Sequence, residues 1–317
     1  MKKVFRVLGF LVLAIVLLVA AGAAFIQFRG IPTYEPKDVK ITVKPDSTRL
    51  ARGGHLVTLI CAECHRGEGN KLTGKHMVDV PTMFGYVHSG NITRDKNHGS
   101  GRYTDGELIH FLRTGIKRDG SYSFVMGGFP RLSDEDLYSI VAFLRSDSPQ
   151  LDPVAKSNPP CRPTFFTKFL ANTVFKPFPY PEKPIVAPPV TDKVAYGRYL
   201  VHGGVDCYNC HSADFATNNA FEPEKSKGYL AGGTILIDPT DLREITSANL
   251  TPHPEHGIGK WTESEFAEAV RFGKRRGGGS LSAAMPKFTV MTDEEISAIY
   301  AFLRTVPATD HAVARVR

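Results

Sequence analysis

Cys61-Ala62-Glu63-Cys64-His65 and Cys207-Tyr208-Asn209-Cys210-His211 decide how this chain is read. Each is a C-x-x-C-H pentapeptide, the attachment signature of c-type haem. Two thiols at that spacing reach the two vinyl groups of one porphyrin and form thioethers. The adjacent His is then held beneath the iron as its proximal ligand. Four of the five cysteines lie in these motifs. A structural zinc site and a redox dithiol are the other readings. A zinc site commonly draws its ligands from a second C-x-x-C about 15–20 residues away, whereas these motifs lie 146 residues apart. A dithiol has no need of the following His. The motifs therefore predict two covalent haem c groups, bound through Cys61, Cys64, Cys207 and Cys210, with His65 and His211 on the irons.

The N-terminus agrees with that chemistry. Lys2, Lys3 and Arg6 precede an uncharged run at 7–28. About 20 residues of helix span about 30 Å, the thickness of bilayer hydrocarbon. The positive charges stay on the cytoplasmic side, so the remainder faces outward, where haem is attached. A cleaved signal peptide is the alternative, but its apolar core is usually about 7–15 residues. The length of the run favours an anchor over residues 1–28. Pro32, Pro36 and Pro45 then mark an extended tether at 29–48. The 317 residues suggest about two domains. Net charge is +7, yet no basic run with interleaved aromatics is present, which argues against nucleic acid.

The rest of the chain repeats. Asn91-Ile92-Thr93 recurs as Asn249-Leu250-Thr251, and Gly101-Arg102-Tyr103-Thr104 as Gly259-Lys260-Trp261-Thr262, both shifted by 158. Leu132-Ser133-Asp134-Glu135-Asp136 recurs as Met291-Thr292-Asp293-Glu294-Glu295 at 159. Because the haem motifs match at 146, the second copy carries a 12-residue insertion after its motif. Two copies of one domain follow, at 49–148 and 191–307, with a tail at 308–317.

Each copy reads as helical. Leu137, Ile140, Val141 and Leu144, like Ile296, Ile299, Tyr300 and Leu303, form one apolar helical face. Ser133 and Thr292 suit N-caps, and Thr292 with Glu295 makes a capping box. Middle helices start at Thr104 and Thr262 and stop at Gly115 and Gly273. Leu56 and Val57, like Leu200 and Val201, suggest a short first helix on the haem edge. Residues 149–190 are proline-rich and predict a stiff, extended linker. Phe165, Phe166, Phe169 and Phe175 are too apolar to hang free and are expected on a domain surface. Cys161 reads as a partly buried, unpaired thiol, with an intermolecular disulfide or a ligand role as the alternative.

The repeat also selects the sixth ligands. Met126 and Met285 coincide at the 159 shift, each before the last helix, with Phe129 and Phe288 three residues on. Met285-Pro286 is a loop presentation of the sulfur, while Met126 is followed by Gly127-Gly128. Core filling is the competing role for any Met, and His76 or His88 are alternative ligands to Met126. His98 and His256 match at 158 and read as loop residues or propionate contacts. His55, His76, His88, His110, His202 and His253 have no counterpart and read as solvated or locally bonded. Tyr103 and Trp261 are candidate propionate donors or core packers.

On these motifs the sequence resembles the class I cytochrome c family. More narrowly, it resembles the multihaem cytochrome c subunits of bacterial alcohol, aldehyde and gluconate dehydrogenases. Asn249-Leu250-Thr251-Pro252, Gly257-Ile258-Gly259-Lys260-Trp261-Thr262 and Met285-Pro286 match that pattern. In the first copy Arg94, Tyr103 and Gly127 replace Pro, Trp and Pro. The resemblance implies an all-α fold of two tandem class I cytochrome c domains behind a transmembrane helix. It implies electron transfer outside the cytoplasm, from a dehydrogenase subunit toward a terminal oxidase, a quinone or another cytochrome, with no small-molecule substrate. A dihaem enzyme, a peroxidase or sulfur-compound oxidase with one open haem, is the rival function.

Overall fold

The helices form where the apolar spacing puts them. The computed structural model describes residues 2–37 and 39–313. Met1 of the anchor, Asp38 of the tether and residues 314–317 of the tail lie outside the described residues. α1 (Lys2–Arg29) is long and apolar enough to cross a membrane, and none of it is buried in the protein. In the first half α2 (Ser47–Leu56) passes through a π turn (Val57–Cys61) into α3 (Ala62–His65). α4 (Asp105–Thr114), α5 (Asp134–Leu144) and α6 (Phe165–Thr173) follow. In the second half α7 (Lys193–Tyr199) leads through another π turn (Leu200–Gly204) to α8 (Cys207–Cys210), α9 (Glu263–Phe272) and α10 (Asp293–Leu303). Strands are short. β1 (Gly85–Tyr86) pairs with β2 (Arg162–Pro163), and β3 (Ile235–Ile237) with β4 (Glu244–Thr246), both antiparallel. The β3–β4 hairpin falls where the second copy has its insertion.

Local chemistry sets the helix ends. Thr104 with Glu107 and Thr262 with Glu265 close capping boxes on α4 and α9. Gly115 and Gly273 end those helices at φ 77° and 66°, the left-handed region that glycine enters without strain. Ser133 caps α5, and Thr292 with Glu295 boxes α10.

In each half the first helix packs on the last, α2 on α5 and α7 on α10. Leu56, Leu137, Ile140, Val141 and Leu144 make one core. Leu200, Ile296, Ile299 and Leu303 make the other. Each such side chain contributes about 1.5–3 kcal/mol on burial. The helices approach so closely that a Cβ on Gly53 would lie 1.9 Å from the Ser139 oxygen, and one on Gly197 1.9 Å from the Ala298 oxygen.

The same helices join the halves reciprocally. His55 of α2 reaches Glu295 of α10 (Nε2 to Oε2, 2.8 Å), and Tyr199 of α7 donates to Asp136 of α5 (2.6 Å). Gly53 and Gly197 bring His55 and Tyr199 into register, and Asp136 and Glu295 are equivalent by the 159 shift. Each half thus places a polar group of its first helix on the acid of the other half's last helix. Arg52 spans both acids, donating to Asp136 from Nε and Nη2 (2.8 and 3.0 Å) and to Glu295 from Nη1 (2.9 Å). Leu59 of the first half is buried in the second half's core. Burial alone would raise the Glu295 carboxyl, but His55, the Thr292 N–H and Arg52 hold it below its ordinary 4.5. A depressed carboxyl stabilises above its unfolded value and loses that contribution as pH falls through its folded value. Glu295→Gln should therefore cost about 2 kcal/mol near neutral pH. Denaturant unfolding at about pH 7 and about pH 3 should show the cost shrinking in acid. An equal cost at both pH values would mean the charge plays no part.

The proline-rich stretch 149–190 is not a free extended connection. Asn91 Nδ2 donates to the Val154 and Lys156 oxygens, and Asn158 Nδ2 to those of Thr73 and Ser89. The Asp134 N–H donates to the Ile185 oxygen. The stretch is laid along the first half because its backbone groups between prolines find partners there. α6 interrupts it and lies on the first half as expected, but with Thr167 and Ala171 inward and Phe165, Phe166 and Phe169 left exposed. Cys161 is a free thiol but exposed, not partly buried, because its segment runs over the surface of the first half.

Candidate functional site

Both C-x-x-C-H motifs sit at the end of a first helix, Cys61 closing one π turn and Cys207 following the other, so the packed helix fixes where they emerge. His65 and His211 are buried, 9% exposed each. His65 Nδ1 bonds the Gly90 oxygen at 2.7 Å, and His211 Nδ1 bonds the Ala248 oxygen at 2.8 Å. Gly90 and Ala248 are equivalent at the 158 shift. A carbonyl accepts only, so Nδ1 carries the proton and Nε2 keeps its lone pair for a metal. Burial pushes both imidazoles below the ordinary histidine value, although the carbonyl bond opposes it. They remain neutral, the form that ligates iron.

The repeated Asn-x-Thr holds those carbonyl loops. Asn91 Oδ1 accepts from the Thr93 N–H and hydroxyl (2.9 and 2.7 Å), as Asn249 Oδ1 does from Thr251 (2.9 and 2.7 Å). Their amides donate to the strap after each last helix, Val154 and Lys156 in one half, Thr309 and His311 in the other. Arg145 donates to the Ser100 and Tyr103 oxygens, and Arg304 to that of Gly259, clamping the glycine-rich turns. Sequence reasoning found the repeat but not this supporting role. The shared spacing between Asn91 and Gly90, and between Asn249 and Ala248, was its only signal.

In the second half a cavity of about 1180 Å³ is lined by Cys207, Cys210, His211 and Met285 together. That exceeds the ~300–1,000 Å³ usual for small-ligand pockets. Its walls include Leu250, Trp261, Phe266 and Phe288, an apolar lining that suits a macrocycle. Arg243 and Arg275 also line it and supply cations for carboxylates, with His256 on the same wall. The donor set of two thiols, an imidazole and a thioether matches what haem c requires. Burial pushes the Cys207 and Cys210 thiols up to about 12 and about 11, so before attachment both are protonated.

The loop presenting Met285 is held by the inserted hairpin. Asp238 beyond β3 accepts from the Ser282 hydroxyl and, at 3.2 Å, from the Ala283 N–H. Those bonds and the Thr240 hydroxyl hold its carboxyl down to about 2. Phe288 N–H donates to the Val270 oxygen (3.0 Å), as Phe129 N–H does to Leu112 (2.6 Å), so the two Met loops are anchored alike. Met126 packs against the cluster that contains Cys61, Leu108 and Leu112. Gly127 and Gly128 beside it take φ of 62° and 136°.

Most of the histidines are hydrogen-bonded, the second of the two roles read for them. His110 and His202 are buried, not solvated. His202 Nε2 bonds the Tyr229 hydroxyl at 2.5 Å, and burial pushes its imidazole down to about 4. His76 and His88 stack on each other and on Tyr86, at ring distances of 5.3, 4.2 and 5.0 Å. His98 pairs with Asp95 (3.2 Å) and His256 with Asp310 (3.4 Å). Trp261 lines the cavity, while Tyr103 stacks on Phe111.

No family model matches the chain. The fructose dehydrogenase cytochrome subunit of Gluconobacter japonicus is 30% identical over 278 residues, covering 82% of this chain and 53% of that protein. The cytochrome c subunit of the quinone alcohol dehydrogenase of Gluconacetobacter polyoxogenes is 27% identical, covering 90% of this chain and 61% of its own length. The chain thus spans little more than half of these two proteins. A diheme cytochrome c-type protein of Cereibacter sphaeroides is 26% identical, covering 78% of this chain and 82% of that one. These relatives are cytochrome c proteins, and thiols, imidazole and thioether line one pocket here: the chain is similar to the c-type cytochromes, whose covalent cofactor is haem c.

Proposed function

We propose that the chain is a membrane-anchored, dihaem electron carrier that takes electrons from a dehydrogenase and passes them to a terminal oxidase or another cytochrome. The single observation that carries this reading is the second cavity, where His211 and Met285 both line the space beside Cys207 and Cys210. Haem iron bound there supplies one-electron exchange between its ferrous and ferric states. The chain's own residues hold it. Cys207 and Cys210 would tether the ring, the Ala248 carbonyl orients His211 toward the cavity, and His211 and Met285 would supply the iron's protein ligands. By the repeat, Cys61, Cys64, His65 and Met126 do the same in the first half. The two haem domains would run over 49–148 and 191–307. α1 would lie in the cytoplasmic membrane with Lys2, Lys3 and Arg6 inside and both haem domains outside. The donor is a dehydrogenase by analogy with the relatives' names. A dihaem peroxidase or sulfur-compound oxidase needs an open iron position, and a Met at the same point of both copies speaks against one.

The expected chemical result is two haems per chain, stable to acid-acetone extraction and visible by haem stain after denaturing electrophoresis. Cys207→Ala with Cys210→Ala should leave one. Loss of all stain, with zinc recovered in its place, would overturn the reading.

A further inference from the structure

α6 is turned the wrong way for a helix in water. Its three large apolar side chains, Phe165, Phe166 and Phe169, are 45%, 40% and 42% exposed. Its buried face is made of Thr167 and Ala171, both 0% exposed. The Thr167 hydroxyl donates inward to the Phe84 oxygen at 2.7 Å, so this orientation is anchored. A surface helix ordinarily buries its apolar stripe and shows its small polar residues. Met83, 52% exposed, extends the patch, since its oxygen accepts from the Thr164 hydroxyl and the neighbouring Phe84 ring lies 5.8 Å from Phe166. Contiguous apolar exposure of this kind marks an interaction surface.

A second observation says what covers it. α6 packs on the outer end of α1. Lys168 Nζ donates to Gln27 Oε1 at 3.1 Å, and Asn172 Nδ2 to the Gly30 oxygen at 2.9 Å. Phe25 and Phe28 of α1 are exposed beside that exit, at 60% and 89%. These contacts fix the height of α6 at the level where the spanning helix leaves the bilayer. We propose that α6 is a membrane-interface helix, lying with Phe165, Phe166 and Phe169 in the boundary between phospholipid headgroups and acyl chains. Aromatic side chains favour that layer, and a short helix buries its apolar face there by about 5–10 Å. Lys168, Lys176 and Arg29 flank it and suit headgroup phosphates. The helix would thereby hold the first haem half against the membrane instead of leaving it on a loose tether. The inference rests on α1 being the span.

The test uses the full-length holoprotein in phosphatidylethanolamine–phosphatidylglycerol vesicles. Three variants carry a photocrosslinker: Phe166→p-benzoylphenylalanine, Val16→p-benzoylphenylalanine in α1, and Phe215→p-benzoylphenylalanine, an exposed site in the second half. After irradiation, mass spectrometry should find lipid adducts at 16 and at 166, the latter at least about tenfold above the yield at 215. Adducts at 16 with only the background of 215 at 166 would overturn the interface helix and leave the anchor standing. No adduct at 16 would sink the anchor and this inference together. Crosslinks from 166 to a co-purifying polypeptide in place of lipid would assign the face to a protein partner and overturn the inference as well.

Discussion

Met285→Ala is expected to lower the reduction potential of one haem and open it to carbon monoxide, leaving the other unchanged. A neutral, soft thioether favours the ferrous over the ferric state, so its loss removes that preference. A roughly hundredfold change in the balance between oxidation states corresponds to about 120 mV for one electron, and a fall of that order is expected. The effect should be local to the second half, because Met285 lines the cavity with Cys207, Cys210 and His211. Asp238 gives the experiment a second arm. Its carboxylate ties Ser282 and Ala283, three and two residues before Met285, so its removal should loosen the same ligand without altering it. Redox titration and carbon monoxide difference spectra check both. A wild-type protein that binds carbon monoxide readily at one haem would move the enzyme reading ahead of the carrier. An unchanged potential in Met285→Ala would show that the sulfur is core filling.

Gly197→Ala is expected to destabilise the second half strongly. The added Cβ would sit 1.9 Å from the Ala298 oxygen, 2.5 Å from its carbonyl carbon and 2.9 Å from the Phe302 Cβ. Two of these atoms are backbone of α10, so the strain is relieved only by moving one helix off the other. Overpacking costs about 1–3 kcal/mol and sometimes more. Alanine regains about 1 kcal/mol of helix propensity. A contact this short should still leave a net loss at or above about 3 kcal/mol. Gly53→Ala should behave alike, since its Cβ would meet the Ser139 oxygen at the same 1.9 Å. Gly204→Ala, whose nearest contact is Leu200 Cδ2 at 3.4 Å, is the control and should change little. Denaturant unfolding of the holoproteins measures all three. Equal losses at 197 and 204 would remove the helix crossing as the cause.

Sequence alone determined the features whose chemistry is local. A haem motif needs five consecutive residues, a capping box four, and an apolar helical face a run of one helix. All are written at short range, so Cys61 to His65, Cys207 to His211, Thr292 with Glu295 and the faces of α5 and α10 could be read directly. The repeat added Met126 and Met285 by arithmetic. Tertiary structure decided whatever joins distant segments. The repeat singled out Asn91 and Asn249, but only folding brings them to the straps beyond α5 and α10. Nothing in the order of residues says that His55 and Tyr199 exchange acids between halves. Their partners lie far along the chain, and the pairing follows from the docking of four helices. The proline-rich stretch was legible as a surface segment, but not its partners. Proline removes local helix, but it does not forbid long-range hydrogen bonds, and those bonds lay the stretch along the first half. α6 escaped because its apolar face points outward. A pattern of apolar residues tells which side of a helix leaves water, and only the contact with α1 gives the reason to propose lipid as the other phase there.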